Sequence, residues 1–311
     1  MSTGHSPPQI ITELPYLAPR PPGMHKGQAG KVAIIAGCRG MSGAAVLSGL
    51  GALRGGAGLV RVCTAESVQP VVATTEPCLM TAALPENAEH QVDGQRALDA
   101  FDLTWPDVVA IGPGLGQSGG AAAFVRLLLE SLQAPLVLDA DALNNLSHSK
   151  TPWWTSRSGQ QTIVTPHPGE MARLRRGAGL AETKGDDDET RLRIAHEYAC
   201  LSGAVVVLKG FRTVVCTADR AYFNTSGDPG MATGGMGDVL TGLVAALLGQ
   251  GIQAGGQFGA FEAACLGVYV HGAAAEACAR QIGGFGYLAR EVADAIPAAL
   301  ARASRGPMGF K

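Results

Sequence analysis

The chain has 311 residues, 46% of them hydrophobic and 16% charged, with a formal net charge of -2 and a pI near 6.4. That length is enough to bury a substantial core in one large domain or two small ones, and the composition excludes a disordered chain. The near-neutral balance gives no basic footprint for nucleic acid or an anionic membrane, so any anionic ligand must be held by local groups.

Seven cysteines (Cys38, Cys63, Cys78, Cys200, Cys216, Cys265 and Cys278) are scattered without a C-x-x-C pair, several inside apolar runs. They read as buried, reduced thiols, which predicts a cytoplasmic protein. The opening M-S-T-G-H-S-P-P-Q-I lacks the charged start and apolar core of a signal peptide, and no apolar segment reaches the length of a membrane span. The 43 glycines show no collagen-like period and cluster at the ends of apolar runs, where strand-to-helix turns over a ligand would need them.

Residues 1 to about 30 carry six prolines (Pro7, Pro8, Pro15, Pro19, Pro21 and Pro22), which predicts an irregular arm on the domain or on a neighbouring subunit. From Lys31 the pattern changes, and 31–311 reads as one domain. K-V-A-I-I-A-G is a buried parallel strand ended by glycine, followed by a loop, the helix A-A-V-L-S-G-L-G-A-L-R, and the strand L-V-R-V-C-T. The alternation recurs in D-V-V-A-I-G-P-G-L-G and its following helix, in P-L-V-L-D-A-D-A-L-N, and in T-I-V-T-P-H-P-G-E. Ala204–Cys216 predicts a strand, a tight connection and a second strand; helices follow around Val239–Leu248, Phe261–Ala279 and Leu288–Ala301. Parallel strands alternating with helices predict an open α/β sheet covered on both faces, with ligands bound outside the C-terminal strand ends.

The loops at those ends carry the chemistry. Asn224–Leu248 passes through six glycines into an apolar helix, and a helix starting after such a loop points free N–H groups at an anion. Asp238 stands in its first turn, either as an N-cap or as a base for something bound in the loop. G-P-G-L-G lacks the third glycine of a dinucleotide fingerprint, and no G-K-[ST] motif is present. At a strand end it brings backbone N–H groups toward an anion. Asp139, Asp141 and Asn144 either orient a metal-bound phosphate or bind hydroxyls, or else serve as cap and loop hydrogen bonds. His167, between Pro166 and Pro168, is held stiffly and reads as ligand-facing over a structural histidine. Lys209, at the turn of the predicted hairpin, supplies a point charge for phosphate or is simply solvated. Lys184 and Asp186–Glu189 read as a solvated face, and Met231 and Met236 as an apolar pocket lining.

Taken together, K-V-A-I-I-A-G with S-G-A-A, I-G-P-G-L-G, V-L-D-A-D-A-L-N, T-P-H-P-G-E, V-V-L-K-G and G-D-P-G-M-A-T-G-G-M-G-D-V-L-T-G resemble the ADP-dependent NAD(P)H-hydrate dehydratases. The ordered match runs from about Lys31 to Ala301. The resemblance implies a three-layer αβα ribokinase-like fold with a mostly parallel central sheet. It implies restoration of NADH or NADPH from the 6S hydrates NADHX and NADPHX, with ADP or ATP as phosphoryl donor and Mg²⁺ as cofactor, but no metal site built from protein residues. Carried over, Asp238 would be the base facing the substrate hydroxyl, and Gly235, Met236 and Gly237 the anion hole. Lys209, Gly210, Phe211, Arg212 and Thr213, with Gly237, would hold AMP. Ala44, Gly114 and His167 would line the hydrate pocket with Asp238.

The sequence departs from the family at Met236, where a small polar residue is usual, and at Cys38, where serine is common. A chain of 311 residues leaves no room for the epimerase domain often fused to the family, so the stand-alone dehydratase is expected. The helices rich in Ala and Gly and the Pro-rich arm suit a homo-oligomer, with a tetramer as one option; no nucleic-acid or membrane partner is expected. The alternatives are a ribokinase-like kinase of a vitamin-precursor alcohol, and a nucleotide-binding module without catalysis.

Overall fold

The computed structural model describes residues 6–149 and 151–304. Residues 1–5 of the Pro-rich arm and 305–311 at the end of the expected main domain lie outside them. The strands are β1 (Gln9–Ile11), β2 (Lys31–Ile35), β3 (Leu59–Ala65), β4 (Met80–Leu84), β5 (Val108–Ile111), β6 (Leu136–Leu138), β7 (Thr162–Val164), β8 (Val205–Leu208), β9 (Val214–Cys216) and β10 (Arg220–Phe223). The helices are α1 (Ser42–Arg54), α2 (Gln69–Thr75), α3 (Gly94–Ala100), α4 (Gly119–Ser131), α5 (Ala140–Ser147), α6 (Pro168–Gly177), α7 (Asp188–Ser202), α8 (Met236–Ala254), α9 (Ala260–Ile282) and α10 (Ala289–Ala303).

All ten strands form one sheet in the order β1-β10-β9-β8-β7-β6-β5-β2-β3-β4. Among the described residues β9 alone runs against the rest, paired antiparallel to β8 and β10. The central strands β5 (V-V-A-I) and β8 (V-V-V-L) are buried at every position, because a parallel sheet is covered on both faces. Helices α1, α8, α9 and α10 pack together on one face, and α3, α4, α5 and α6 form a chain on the other. The Arg175–Glu197 ion pair, 2.7 Å, ties α6 to α7. Helix α8 lies at the centre of its layer and is apolar nearly all round, as a helix enclosed by protein must be.

Three elements depart from the sequence reading. The arm is not wholly irregular: Gln9–Ile11 pairs in parallel with Arg220–Tyr222 and adds the last strand to one edge. Proline flanks this strand but does not interrupt it, which is what an edge position tolerates. Strands β4 and β10 carry weak apolar signals (M-T-A-A-L and R-A-Y-F) and take their conformation from the neighbours they pair with. All seven cysteines are free thiols, but Cys38 and Cys200 are only half-buried, and Cys78 is exposed because it sits in the turn between α2 and β4 and not in an apolar run. No helix among the described residues is long and apolar enough to cross a membrane.

Strand β2 lies between β5 and β3, so the chain leaves β2 toward one edge of the sheet and leaves β5 toward the other. In an open α/β sheet this switch in direction marks the strand ends where a ligand is expected to bind. The site forms there.

Candidate active site

The loops after β2 and β5 are joined by the Gly37 N–H, which donates to Pro113 O at 2.9 Å. The first turn of α1 also meets the β5 loop, since a Cβ added at Gly114 would lie 3.0 Å from the Ala44 Cβ. The structure therefore brings together two of the residues expected to line one pocket. Asp141 holds the far side of the β5 loop, accepting from Gly116 N–H and Gln117 Nε2, both at 2.9 Å. Asp141 therefore makes the loop hydrogen bond that was one of its readings.

Asp139, two residues earlier, faces another way. It stands at the N-cap position of α5 without making a side-chain cap bond. Its carboxylate is buried and takes two partners, Lys209 Nζ at 2.7 Å and Thr241 Oγ1 at 2.7 Å. Lys209 also lies 3.8 Å from Glu170 Oε2. Glu170 in turn accepts from the His167 backbone N–H at 2.8 Å, while His167 Nδ1 accepts from Gly169 N–H at 3.0 Å, closing a capping box at the start of α6. His167 thus has a structural task as N-cap, yet its side chain remains half exposed.

Lys209 is neither a solvated turn lysine nor a free point charge. It directly follows β8 with its side chain 20% exposed, and its charge is already shared by two carboxylates. Burial by itself would lower its pKa, but Asp139, Glu170 and Asp238 outweigh that and hold it above the ordinary lysine value. The rest of K-G-F-R-T turns outward: Phe211 is 89% exposed, Arg212 pairs with Asp188, and Thr213 Oγ1 donates to Gly210 O at 3.0 Å. Sequence reasoning missed Glu170 and Thr241. The spacing of Glu170 three residues after His167 was a capping-box signal, whereas nothing local marks Thr241.

Helix α8 starts at Gly235, whose φ of +90° is the left-handed region that favours glycine. No side chain caps it, so Asp238 is not an N-cap; it is the third residue of the helix. The first N–H to find a helical acceptor is that of Val239, on Gly235 O at 3.2 Å. The N–H groups of Met236, Gly237 and Asp238 come before that ladder begins, as at any helix N-terminus. Met236 does not line an open pocket: only 5% exposed, its side chain joins the core, because the first turn points it beneath the helix. Its backbone stays in the loop. Gly237 sits over the ion pair, since a Cβ there would lie 3.4 Å from Lys209 Nζ and 3.8 Å from Asp139 Oδ2.

Asp238 is half-buried, and its pKa is pushed up to about 7, first by burial and then by the negative charges of Asp139 and Asp141, with Lys209 opposing. Burial also raises Glu170. His271 of α9 is pushed down to about 4 by burial and by Lys209, so it is neutral at pH 7. The arrangement is an anion-ready helix start, a carboxyl that titrates near neutrality, and one cation among three carboxylates. That set can accept a proton from a hydroxyl and receive a phosphoryl group. Among the described residues no three His, Cys, Asp or Glu side chains are grouped to hold a metal ion.

The profile of the NAD(P)H-hydrate dehydratase family matches residues 32–298. The bifunctional NAD(P)H-hydrate repair enzyme Nnr of Moorella thermoacetica is 43% identical over 279 residues, which are 88% of this chain and 49% of that protein. This chain thus spans about half the length of the first curated relatives that it matches. The ADP-dependent (S)-NAD(P)H-hydrate dehydratase of Xanthomonas campestris pv. campestris is 36% identical over 287 residues, 92% of this chain and 93% of that one. In three dimensions the chain is similar to the ADP/ATP-dependent NAD(P)H-hydrate dehydratase of Bacillus subtilis co-crystallized with ATP/Mg²⁺. That likeness has a TM-score of 0.75 and 29% identity, and covers 94% of this chain and 100% of the other.

Proposed function

The chain belongs to the NAD(P)H-hydrate dehydratase family, and we propose from that premise that it is an ADP-dependent (6S)-NAD(P)H-hydrate dehydratase. It would restore NADH or NADPH from NADHX or NADPHX with release of AMP and phosphate. One observation supports this most directly: Asp238, a carboxyl with a pKa near 7, stands in the uncapped first turn of α8 beside the Lys209–Asp139 pair.

In this reading Asp238 takes the proton of the ring hydroxyl while the terminal phosphoryl group of the nucleotide passes to that oxygen. The N–H groups of Gly235, Met236 and Gly237 receive the group in flight, with the positive end of the α8 dipole behind them. Phosphate then leaves its ring carbon while the adjacent carbon gives up a proton to water, and the C–H electron pair becomes the ring double bond. Lys209 to Thr213, with Gly237, hold the AMP part; Ala44, Gly114 and His167 line the hydrate pocket. Because Lys209 is already paired, its contribution is to balance the carboxylates more than to grip phosphate.

Lys209 is the one cation facing Asp139, Glu170 and Asp238, so once Asp238 is in its base form the site is net negative and phosphates would be repelled unless they bring a cation. Mg²⁺ carried on the nucleotide fits this, since it commonly binds through one or two carboxylates and phosphate oxygens and keeps its other ligands as water. When bound it would neutralise charge on the phosphates. The one continuous sheet supports reading the chain from residue 31 onward as a single catalytic domain to which the arm adds an edge strand, and we take the protein to be a cytoplasmic homo-oligomer.

Incubation with NADHX, Mg²⁺ and either ADP or ATP, followed by NADH absorbance, tests the proposal and identifies the donor. Regenerated NADH with stoichiometric phosphate is expected. A stable phosphorylated product without NADH would point to a kinase instead.

A further inference from the structure

The acidic stretch before α7 was expected to be a solvated face, yet its neighbourhood holds one of the most buried cations of the chain. Arg191, in the first turns of α7, is 3% exposed. Its guanidinium NH2 donates to the backbone carbonyls of Leu208 (3.0 Å) and Lys209 (3.2 Å), the last residue of β8 and the one after it. Its NH1 donates to Asp186 at 2.8 Å. The next residue, Gly210, has a φ of +145°, and a Cβ there would lie 2.9 Å from both NH1 and NH2 of Arg191. The guanidinium therefore occupies the space under the turn that a side chain would need. At the other end of the turn, Arg212 has a φ of +54° and is paired with Asp188, also in the first turn of α7. Asp187 between them is the N-cap of that helix.

We propose that Arg191 is a positioning residue for the nucleotide-side turn, fixing the Lys209–Gly210 backbone on the start of α7 so that Lys209 and the turn's N–H groups meet the nucleotide in one geometry. The inference rests on the reading above that Lys209–Thr213 hold AMP. Its physical basis is directional: a planar guanidinium offers donors in a fixed fork and satisfies two adjacent carbonyls and a carboxylate at once, which an ammonium cannot do. Asp186 supplies the counter-charge from solvent, and its side chain is 82% exposed. Arg191 touches neither Asp139 nor Asp238, so its loss acts on the nucleotide side without removing a group from the reacting centre.

The test measures ADP affinity by equilibrium titration, and the KM values for ADP and NADHX, in Arg191→Met, Arg191→Lys and Lys209→Ala. Loss of the two hydrogen bonds onto the turn, together with the one to Asp186, should raise the dissociation constant and KM for ADP about tenfold in Arg191→Met. KM for the hydrate should shift much less, because Ala44, Gly114 and Asp238 stand on other elements and only the His167 loop is bonded to this turn, through Lys209 N–H on Pro166 O at 2.9 Å. Arg191→Lys should recover part of the loss. ADP affinity unchanged in Arg191→Met, or equal shifts for both substrates, overturns the inference. If the methionine variant does not fold by circular dichroism, Arg191→Lys decides: wild-type ADP binding overturns the proposal and a selective loss supports it. Lys209→Ala separates the two levels. Weakened ADP binding there with none in the Arg191 variants refutes the positioning role alone, whereas normal ADP binding in Lys209→Ala refutes the nucleotide-side reading itself.

Discussion

Lys209 Nζ lies 2.7 Å from Asp139 Oδ1, joining the end of β8 to the end of β6 across 70 residues of chain. The pair fixes the floor of the site, because Thr241 of α8 completes Asp139 from the opposite layer. A buried pair of this kind stabilises little when intact but costs much when halved.

Lys209→Ala should therefore both destabilise the protein and weaken the nucleotide side. Asp139 and Glu170 are left facing each other without a cation, at a cost of about 3 kcal/mol. The apparent constant for ADP should rise more than that for the hydrate. Chemical denaturation and the two KM values check this; equal effects on both substrates would count against a nucleotide-side role.

Asp238→Asn keeps size and polarity but cannot accept the hydroxyl proton. Turnover should fall by roughly 10²–10⁴-fold, the usual range for a lost general base, with the circular dichroism spectrum unchanged. Near-normal NADH recovery by this variant would remove Asp238 from the mechanism.

The raised pKa of Asp238 sets a pH dependence with a definite sign. The base form predominates above about 7, so kcat/KM should climb with pH and level off above that midpoint. For stability the direction is opposite. A carboxyl whose folded pKa lies above its unfolded value favours the fold at low pH, and that contribution is lost as pH rises through 7. Asp238→Asn should then melt higher than the parent at pH 8, by ~2–4 °C for each kcal/mol relieved, with the gap closing toward pH 4. Melting curves that stay parallel from pH 4 to 8 would refute the shift.

Thr241→Val tests the contact between layers. The hydroxyl donates to Asp139 at 2.7 Å and lies 3.0 Å from Gly237 O, and the side chain is fully buried. Replacing it by an isosteric methyl leaves a carboxylate oxygen without its donor, at a cost of about 2 kcal/mol. Denaturant unfolding measures this. A loss below about 0.5 kcal/mol, the range of ordinary surface changes, would mean that solvent replaces the bond.

Much of this was already written in local pattern. The apolar runs of β2, β5 and β8, each ended by Gly or Lys, announce a buried parallel sheet because only strands covered on both faces are apolar at consecutive positions. Gly235 followed by M-G-D and an apolar run announces a helix starting at a ligand-ready loop, and the ordered motifs between Lys31 and Ala301 announce the family. Pairing was not written there. Which carboxylate Lys209 meets, that Asp139 and Asp141 face different loops, that Met236 turns into the core, and that Arg191 fills the space under Gly210 all depend on distances between residues far apart in the chain. Periodicity reports which face of an element is apolar; it carries no information on which polar group from another element arrives there. That assignment follows from strand order and helix packing, and so only the tertiary structure decided it.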